Sequence, residues 1–201
     1  FLKSEKIRER MDAYDELKEE YNNCQRCPKL CKSRAQVVFG SGNKHAKILF
    51  IGEAPGANED KQGIPFCGAS GQVLNQLLES VGLSREDIFI TNTILCRPEK
   101  NRNPEKEEIE NCLGRLDKIL EIMQPKVIVT IGNFATERII KKKGITSIHG
   151  KVFPYKHAVV IPVIHPANFL YQGRNPQLFE QMKKDFEGIA EQVNKKTLIE
   201  L

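Results

Sequence analysis

Long apolar runs are missing from this sequence: no stretch approaches the about 20 residues that a helix needs to span a bilayer. A signal-peptide pattern is missing as well. The chain starts Phe1-Leu2-Lys3-Ser4, without an initiator methionine, which is typical of a trimmed or processed end. These absences predict an intracellular protein with no membrane partner.

Internal repeats, low-complexity tracts and Pro/Gly-rich linkers are also absent. A chain of 201 residues is of ordinary size for one domain and can bury about two-thirds of its unfolded surface. We therefore expect one domain over residues 1–201, and a monomer. The net charge of +5 is a mild basic excess, which is compatible with a polyanionic partner but does not by itself indicate one.

Cysteine, in contrast, is plentiful. Six cysteines in a chain expected to be intracellular favour a metal site over a disulfide scaffold. Cys24 and Cys27 form a C-x2-C pair, and Cys96 and Cys112 form a wider pair with fifteen residues between them. Four thiolates suit either Zn²⁺ or an iron–sulfur cluster, and spacing alone does not separate the two.

Short apolar runs alternate with segments of helical character, which predicts an α/β protein. The expected architecture is a three-layer α/β/α fold with a central, mainly parallel four-stranded sheet. Pro162 inside the fourth run indicates an edge strand. The runs are residues 47–52, 88–92, 127–132 and 159–164, and the helical segments are residues 5–22, 71–81, 104–123, 133–143 and 177–194.

Polar residues follow three of these runs. Glu53 comes after the first run, Asn92 ends the second and His165 follows the fourth. Because ligands bind beyond the carboxyl ends of parallel strands, we expect these side chains at one rim of the sheet. Each alone also has a structural interpretation, Asn92 as the cap of a turn and His165 as a partner of backbone groups. Their coincidence at three strand ends favours a site.

Several stretches together resemble the family four uracil-DNA glycosylases, the thermostable iron–sulfur branch of the uracil-DNA glycosylase superfamily. Each motif alone is weak, but their order and the matching cysteine spacing make the combination highly specific. The resemblance runs from about Cys24 to beyond Leu170. The matching stretches are residues 24–34 (CQRCPKLCKSR), 52–60 (GEAPGANED), 63–71 (GIPFCGASG), 91–104 (TNTILCRPEKNRNP), 127–135 (VIVTIGNFA) and 165–170 (HPANFL).

The resemblance implies a monofunctional DNA glycosylase of base-excision repair, in the cytoplasm or nucleoid. Such an enzyme flips uracil out of single- or double-stranded DNA and hydrolyses its N-glycosidic bond, leaving an abasic site. Two alternatives stay open: a relative that binds uracil-DNA tightly or covalently without turnover, and a non-catalytic metal-containing DNA-binding domain. The sequence has no recognisable docking motif for a sliding clamp, so that partner also stays open.

The resemblance further implies roles for the pocket residues. His165 matches the histidine that donates to uracil O2 as negative charge develops there. Asn92 matches the amide that reads uracil N3–H and O4. Phe66 matches the ring that stacks on the flipped base, with core packing as its alternative.

The group that handles the attacking water is less clear. Related branches of the superfamily carry an aspartate directly before the proline of the first motif, where this chain has Ala54. Glu53, which precedes Ala54, fits the family pattern and is expected to bind uracil or water. Glu59 is a second candidate, and crowding of the uracil C5 position to exclude thymine is its alternative role. We expect all three residues in the uracil pocket.

DNA contacts are expected just past the His-Pro turn. Phe169 and Leu170 lie where the family carries its intercalating loop, although either could belong to the core. Arg174 is a candidate phosphate contact or, equally, a solvated surface residue.

The resemblance favours a [4Fe–4S] cluster over Zn²⁺. Its ligands would be Cys24, Cys27, Cys96 and Cys112. The cluster would join the N-terminal helix and cysteine segment, residues 1–34, to the loop after the second strand and so support the Asn92 strand end. Cys31 and Cys67 remain, the first as a second-tier ligand candidate and the second as a small buried residue.

Overall fold

Six strands form one sheet in the computed structural model, which describes residues 2–195 without the side chains of residues 2–4 and 6. Residues 1 and 196–201 of the expected domain therefore lie outside the described part. In chain order the strands are β1 (Ser41–Gly42), β2 (Ile48–Gly52), β3 (Ile88–Asn92), β4 (Val127–Ile131), β5 (Phe153–Tyr155) and β6 (Ala158–Val163). Their order across the sheet is β1-β3-β2-β4-β6-β5.

The four central strands, β3, β2, β4 and β6, run parallel, which confirms the predicted sheet. Two short antiparallel edge strands were not predicted: β1 pairs with β3, and β5 pairs with β6. The edge-strand interpretation of Pro162 was wrong, because β6 has neighbours on both sides. Pro162 is tolerated since β5 pairs only with Ala158–Val160, so the proline lies beyond that ladder.

Helices cover both faces of the sheet. They are α1 (Leu2–Asn22), α2 (Pro28–Ser33), α3 (Ala57–Gln62), α4 (Ala69–Glu79), α5 (Lys106–Met123), α6 (Gly132–Ile140), α7 (Ile145–Ile148), α8 (Ala167–Tyr171) and α9 (Pro176–Asn194). Short 3₁₀ helices occur at Arg85–Asp87 and Glu99–Asn101. The five predicted helices are confirmed. The other four, α2, α3, α7 and α8, have four to six residues each, too few for a hydrophobic period to show.

Alternate residues of the central strands point into two separate cores. Leu49 and Ile51 of β2 pack in one core with α1, α5 and α6, while Ile48 and Phe50 pack in the other with α4 and α9. All five residues of β2, β3 and β4 are buried, as expected for parallel strands covered on both faces. The result is the expected three-layer arrangement. Within residues 2–195, no helix combines the length and apolar character needed to cross a membrane.

Candidate active site

A cavity of about 480 Å³ opens at the carboxyl ends of the parallel strands. The chain reaches this rim because β2, β3 and β6 all end there. The structure brings together all six residues predicted for the uracil pocket. They are Glu53, Ala54, Glu59, Phe66, Asn92 and His165.

Asn92 is the last residue of β3 and is only 1% exposed. Its side-chain Oδ1 is buried and has no hydrogen-bond partner among the described residues. Gly52 pairs with Asn92 on the neighbouring strand β2, and a Cβ atom at Gly52 would collide with both Oδ1 and the ring of Phe66. The missing side chain of Gly52 thus leaves room for an amide and an aromatic ring at the wall of the cavity.

Phe66 lies in a tight turn with a left-handed backbone, φ 52°. Arg85 stabilises this turn: its Nη2 donates to the Phe66 carbonyl at 2.7 Å and its Nε donates to Asn75 Oδ1 at 2.6 Å. Gly71 lets the next helix approach, because a Cβ there would overlap the Phe66 carbonyl. The Phe66 ring ends 5.7 Å from the His165 ring, measured between centroids. Two rings therefore share one wall of the cavity.

His165 has its tautomer fixed by the backbone. The Ala167 N–H donates to His165 Nδ1 at 3.1 Å, so in the neutral ring the proton is on Nε2. Burial lowers the pKa of His165 to about 4, against a smaller opposing effect of the Glu59 charge. At neutral pH the side chain is a neutral imidazole with an N–H donor to offer.

The two glutamates of the cavity differ in their partners. Glu59 Oε1 accepts a hydrogen bond from the Gly68 N–H at 3.0 Å, so its carboxylate joins α3 to the residue that precedes α4. The carboxylate of Glu53 has no hydrogen-bond donor among the described residues, and burial raises the pKa of Glu53. Ala54 packs half-buried against the core. Glu53 is thus the carboxylate with free acceptor capacity at this wall.

The predicted DNA-contacting residues are placed unequally. The Phe169 ring packs against Phe179 of α9, 5.4 Å between centroids, and Leu170 is also half-buried against the core. Tyr171, which sequence reasoning missed, is 84% exposed and lines the mouth of the cavity. Arg174 is exposed but does not line the cavity.

A basic loop was missed as well. Pro98, Asn101, Arg102 and Asn103 line the cavity, and a second, adjoining cavity has basic walls. Arg102 belongs to both, and its guanidinium is fixed by an ion pair with the buried Glu108 at 2.6 Å. The basic residues of the second cavity are Lys29, Lys32, Arg97, Lys100 and Arg102. The charge density of residues 97–106 was the available signal.

Four free cysteines line one small enclosed pocket beside the loop that follows β3. They are the predicted ligands Cys24, Cys27, Cys96 and Cys112, which come from the loop after α1, the loop after β3 and helix α5. No three Cys, His, Asp or Glu side chains within residues 2–195 close on a single point as around one ion. Cys31 is not in the pocket lining, and its thiol donates to the Cys24 carbonyl at 3.5 Å. Cys67 is half-buried, not buried as predicted.

The cysteine pocket supplies donors for thiolates. Arg34 Nη1 donates to Cys96 Sγ at 2.9 Å, and Asn111 Nδ2 donates to Cys27 Sγ at 3.4 Å. Burial raises the pKa of Cys96 to about 11, so this thiol needs a nearby positive centre to become a thiolate ligand. A donor set of four sulfurs with N–H groups beside them fits a metal–sulfur group.

Comparison with known proteins agrees with this geometry. The model of the uracil DNA glycosylase superfamily matches residues 39–187. Type-4 uracil-DNA glycosylases are similar over most of their length: that of Sulfurisphaera tokodaii is 43% identical over 90% of this chain and 85% of its own. That of Archaeoglobus fulgidus is 42% identical over 92% and 96%, and that of Saccharolobus solfataricus is 41% identical over 94% and 90%. The chain belongs to the uracil-DNA glycosylase superfamily, and within it to the type-4 family.

Proposed function

We propose that this protein removes uracil from DNA by hydrolysing its N-glycosidic bond and leaves an abasic site for base-excision repair. The observation that carries the proposal is the buried, unpartnered Oδ1 of Asn92 in a cavity shared with Phe66 and His165. A carboxamide there can accept from uracil N3–H and donate to O4, whereas cytosine reverses this pattern. Uracil N3–H would thus donate a hydrogen bond to Asn92 Oδ1, which no donor among the described residues binds.

The reaction needs the base outside the duplex, which costs about a few kcal/mol of unstacking. The ring of Phe66 offers a surface on which the flipped base stacks. His165 Nε2–H then donates to O2, where negative charge develops as the bond to C1′ breaks. Because Nδ1 of His165 is engaged by the backbone N–H of Ala167, the ring cannot turn its donor away. Phe66 binds the base, and His165 stabilises the leaving group.

Glu53 is the group we assign to the attacking water. It has free acceptor capacity, whereas Ala54 offers no carboxylate and Glu59 is held by Gly68. A sugar with oxocarbenium character needs only a weak base and correct positioning of the water.

A pH profile tests the assignment of Glu53. Since burial raises the pKa of Glu53, the carboxylate becomes protonated on acidification at a higher pH than an ordinary glutamate. The single-turnover rate should therefore fall on the acid side, and Glu53→Gln should be slower and lack this limb. Glu59→Gln, the matched control, should retain the limb. An unchanged acid limb in Glu53→Gln would remove Glu53 from this role.

DNA would reach the cavity across the basic loop, residues 97–106, and across α8. Lys29, Lys32, Arg97 and Lys100 provide positive charge for the phosphate backbone beside the pocket. At the mouth, Tyr171 is better exposed than Phe169 or Leu170 to enter the base stack, while the latter two hold α8 against the core. We assign the exposed contact with the base stack to Tyr171. Intercalation of Phe169 or Leu170 into the DNA stays a prediction.

Tyr171→Ala should lower activity on duplex DNA more than on single strands, because a stacking ring matters most where a vacated space must be filled. Base–aromatic stacking contributes about 1–3 kcal/mol, so we expect at least a roughly fivefold loss of kcat/KM on duplex substrate. The melting temperature should not change. Phe169→Ala is the control. Because the Phe169 ring packs against α9, this variant should have a lower melting temperature than the wild type. Equal losses on both substrates would contradict the wedge role of Tyr171.

For the cysteine pocket we propose a [4Fe–4S] cluster held by Cys24, Cys27, Cys96 and Cys112. These residues come from the N-terminal cysteine segment, the loop after β3 and α5, so a bound cluster would join residues 2–34 to the rest of the domain. Visible absorbance with four irons per chain would support the cluster, whereas a colourless protein with one zinc would support the alternative.

The activity itself is tested with oligonucleotides that carry one uracil, as a single strand or opposite G or A, followed by alkali to cleave abasic sites. Matched oligonucleotides with cytosine or thymine serve as controls. We expect strand cleavage at uracil at a rate far above the slow cleavage at cytosine or thymine. No cleavage at uracil would overturn the enzyme proposal, and a stable protein–DNA adduct would instead support the relative that binds without turnover.

A further inference from the structure

Arg115 is the largest fully buried side chain of the described residues, at 0% exposure, and it lies in α5 three residues after Cys112. Its guanidinium reaches the end of β3. Nη1 donates to Thr91 Oγ1 at 3.0 Å, and Nη2 donates to the Asn92 carbonyl at 2.6 Å and to the Thr93 carbonyl at 3.1 Å. One side chain thus holds the three residues around the strand end that presents the Asn92 amide.

The charge of Arg115 has no ordinary counter-ion. All three of its acceptors are neutral oxygens, and no Asp or Glu among the described residues forms an ion pair with it. Its Nε–H is buried without a partner. A cation in such a place is unfavourable unless an anion is close.

The nearest groups that become anionic when they bind a metal are the thiols of the cysteine pocket. Cys112 lies one helical turn before Arg115 in α5, and Cys96 lies three residues after Thr93, whose carbonyl Arg115 binds. A four-thiolate iron–sulfur group carries net negative charge, so it would neutralise the guanidinium that the protein alone leaves unpaired.

We propose that Arg115 is a positioning residue that takes the cysteine-held cluster as its counter-charge and holds the Asn92 strand end in register for reading uracil. This inference rests on the proposed function and on the proposed cluster. Arg115 orients Asn92 through the backbone, because only two side-chain torsions separate the backbone of Asn92 from its amide group. A misplacement of about 1 Å can cost on the order of 100-fold in rate.

Two substitutions separate the two parts of the proposal. Arg115→Lys keeps the positive charge but loses the planar fork that bridges two carbonyls. Arg115→Gln loses the charge as well. Arg138→Lys is the matched control, because Arg138 is another nearly buried arginine of this core, but it pairs with the Asp117 carboxylate at 2.7 Å and does not line the cavity.

The experiment measures three quantities on the iron-loaded proteins: iron content, the reduction potential of the cluster, and the ratio of excision rates for uracil and cytosine. Arg115→Gln should lower the reduction potential, since a cation beside the cluster favours the added electron. Arg115→Lys should leave the potential near that of the wild type and reduce the preference for uracil by about tenfold or more. Arg138→Lys should change neither quantity.

Either of two results would overturn the proposal: an unaltered potential in Arg115→Gln, or an unaltered preference for uracil in Arg115→Lys with its full iron content. A wild-type protein without iron would overturn it too. If the wild-type protein fails to excise uracil, the proposed function is wrong, and the potential of Arg115→Gln still decides whether Arg115 is the counter-charge. If Arg115→Gln does not fold, Arg115→Met replaces it, and the same decrease in the reduction potential of the cluster is expected.

Discussion

His165→Ala should lower the single-turnover rate of uracil excision by about 10²–10³-fold, the usual effect of removing one oxyanion donor. The loss should appear in the chemical step, because the Nε2–H of His165 is needed where charge develops on O2. The fold should persist, since the only side-chain hydrogen bond of this ring within the described residues is the one from the Ala167 N–H.

His149→Ala provides a matched control for this loss. His149 is half-buried and its Nδ1 lies 2.8 Å from Asp185 Oδ2, outside the cavity lined by His165. We expect lower stability and a normal rate for this variant. Two results would show that the leaving group is stabilised elsewhere. One is a drop in rate for His149→Ala as large as that for His165→Ala, and the other is a rate for His165→Ala within a few-fold of the wild type.

The pH dependence of His165 adds a second check. Its pKa in the folded protein, about 4, lies below the usual 6.5, so the neutral form is the one that folding favours. The contribution of the buried, neutral His165 to the free energy of unfolding is fully present above pH 6.5. It is lost as the pH falls from 6.5 toward 4. NMR of the imidazole should therefore show a neutral ring throughout pH 6–8.

Cys96→Ala should lose iron and stability together. Cys96 lies four residues after Asn92 on the loop that leaves β3, so one short segment would hold both the proposed cluster and the strand end. Structural metal sites contribute about 10 kcal/mol or more to small folds. Even one third of that would lower the melting temperature of a chain of this size by about 7–13 °C.

Cys31→Ala and Cys67→Ala are the matched controls for Cys96→Ala, because neither thiol lines the cysteine pocket. Both should retain full iron and a melting temperature close to that of the wild type. Iron analysis and calorimetry of the three variants decide the assignment. Full iron in Cys96→Ala, or loss of iron in Cys31→Ala, would require a different ligand set.

Sequence reasoning located the pocket because strand ends are easy to find. Glu53, Asn92 and His165 follow runs of buried apolar residues, and the geometry of a parallel sheet then places them at one rim. The resemblance added Phe66, whose left-handed backbone no periodicity could have indicated.

Other features of the site depend on tertiary contacts that a sequence does not display. Arg115 stands in a helix rich in Lys and Glu, where a charged residue is normally read as solvated, and only the packing of α5 beside β3 buries it. Tyr171 and Phe169 are two positions apart, but Phe169 packs against Phe179 of α9 whereas Tyr171 is exposed. Edge strands of two or three residues carry no period at all.

The buried oxygen of Asn92 has a consequence for the resting protein. No donor group of the described residues binds this oxygen, so a base that enters the cavity meets an acceptor that no internal hydrogen bond occupies. A substitution that placed a new donor beside Asn92 would therefore compete with the base for the same oxygen. The same limit applies to the neighbouring position 52, where any side chain larger than that of glycine would displace the amide or the ring of Phe66.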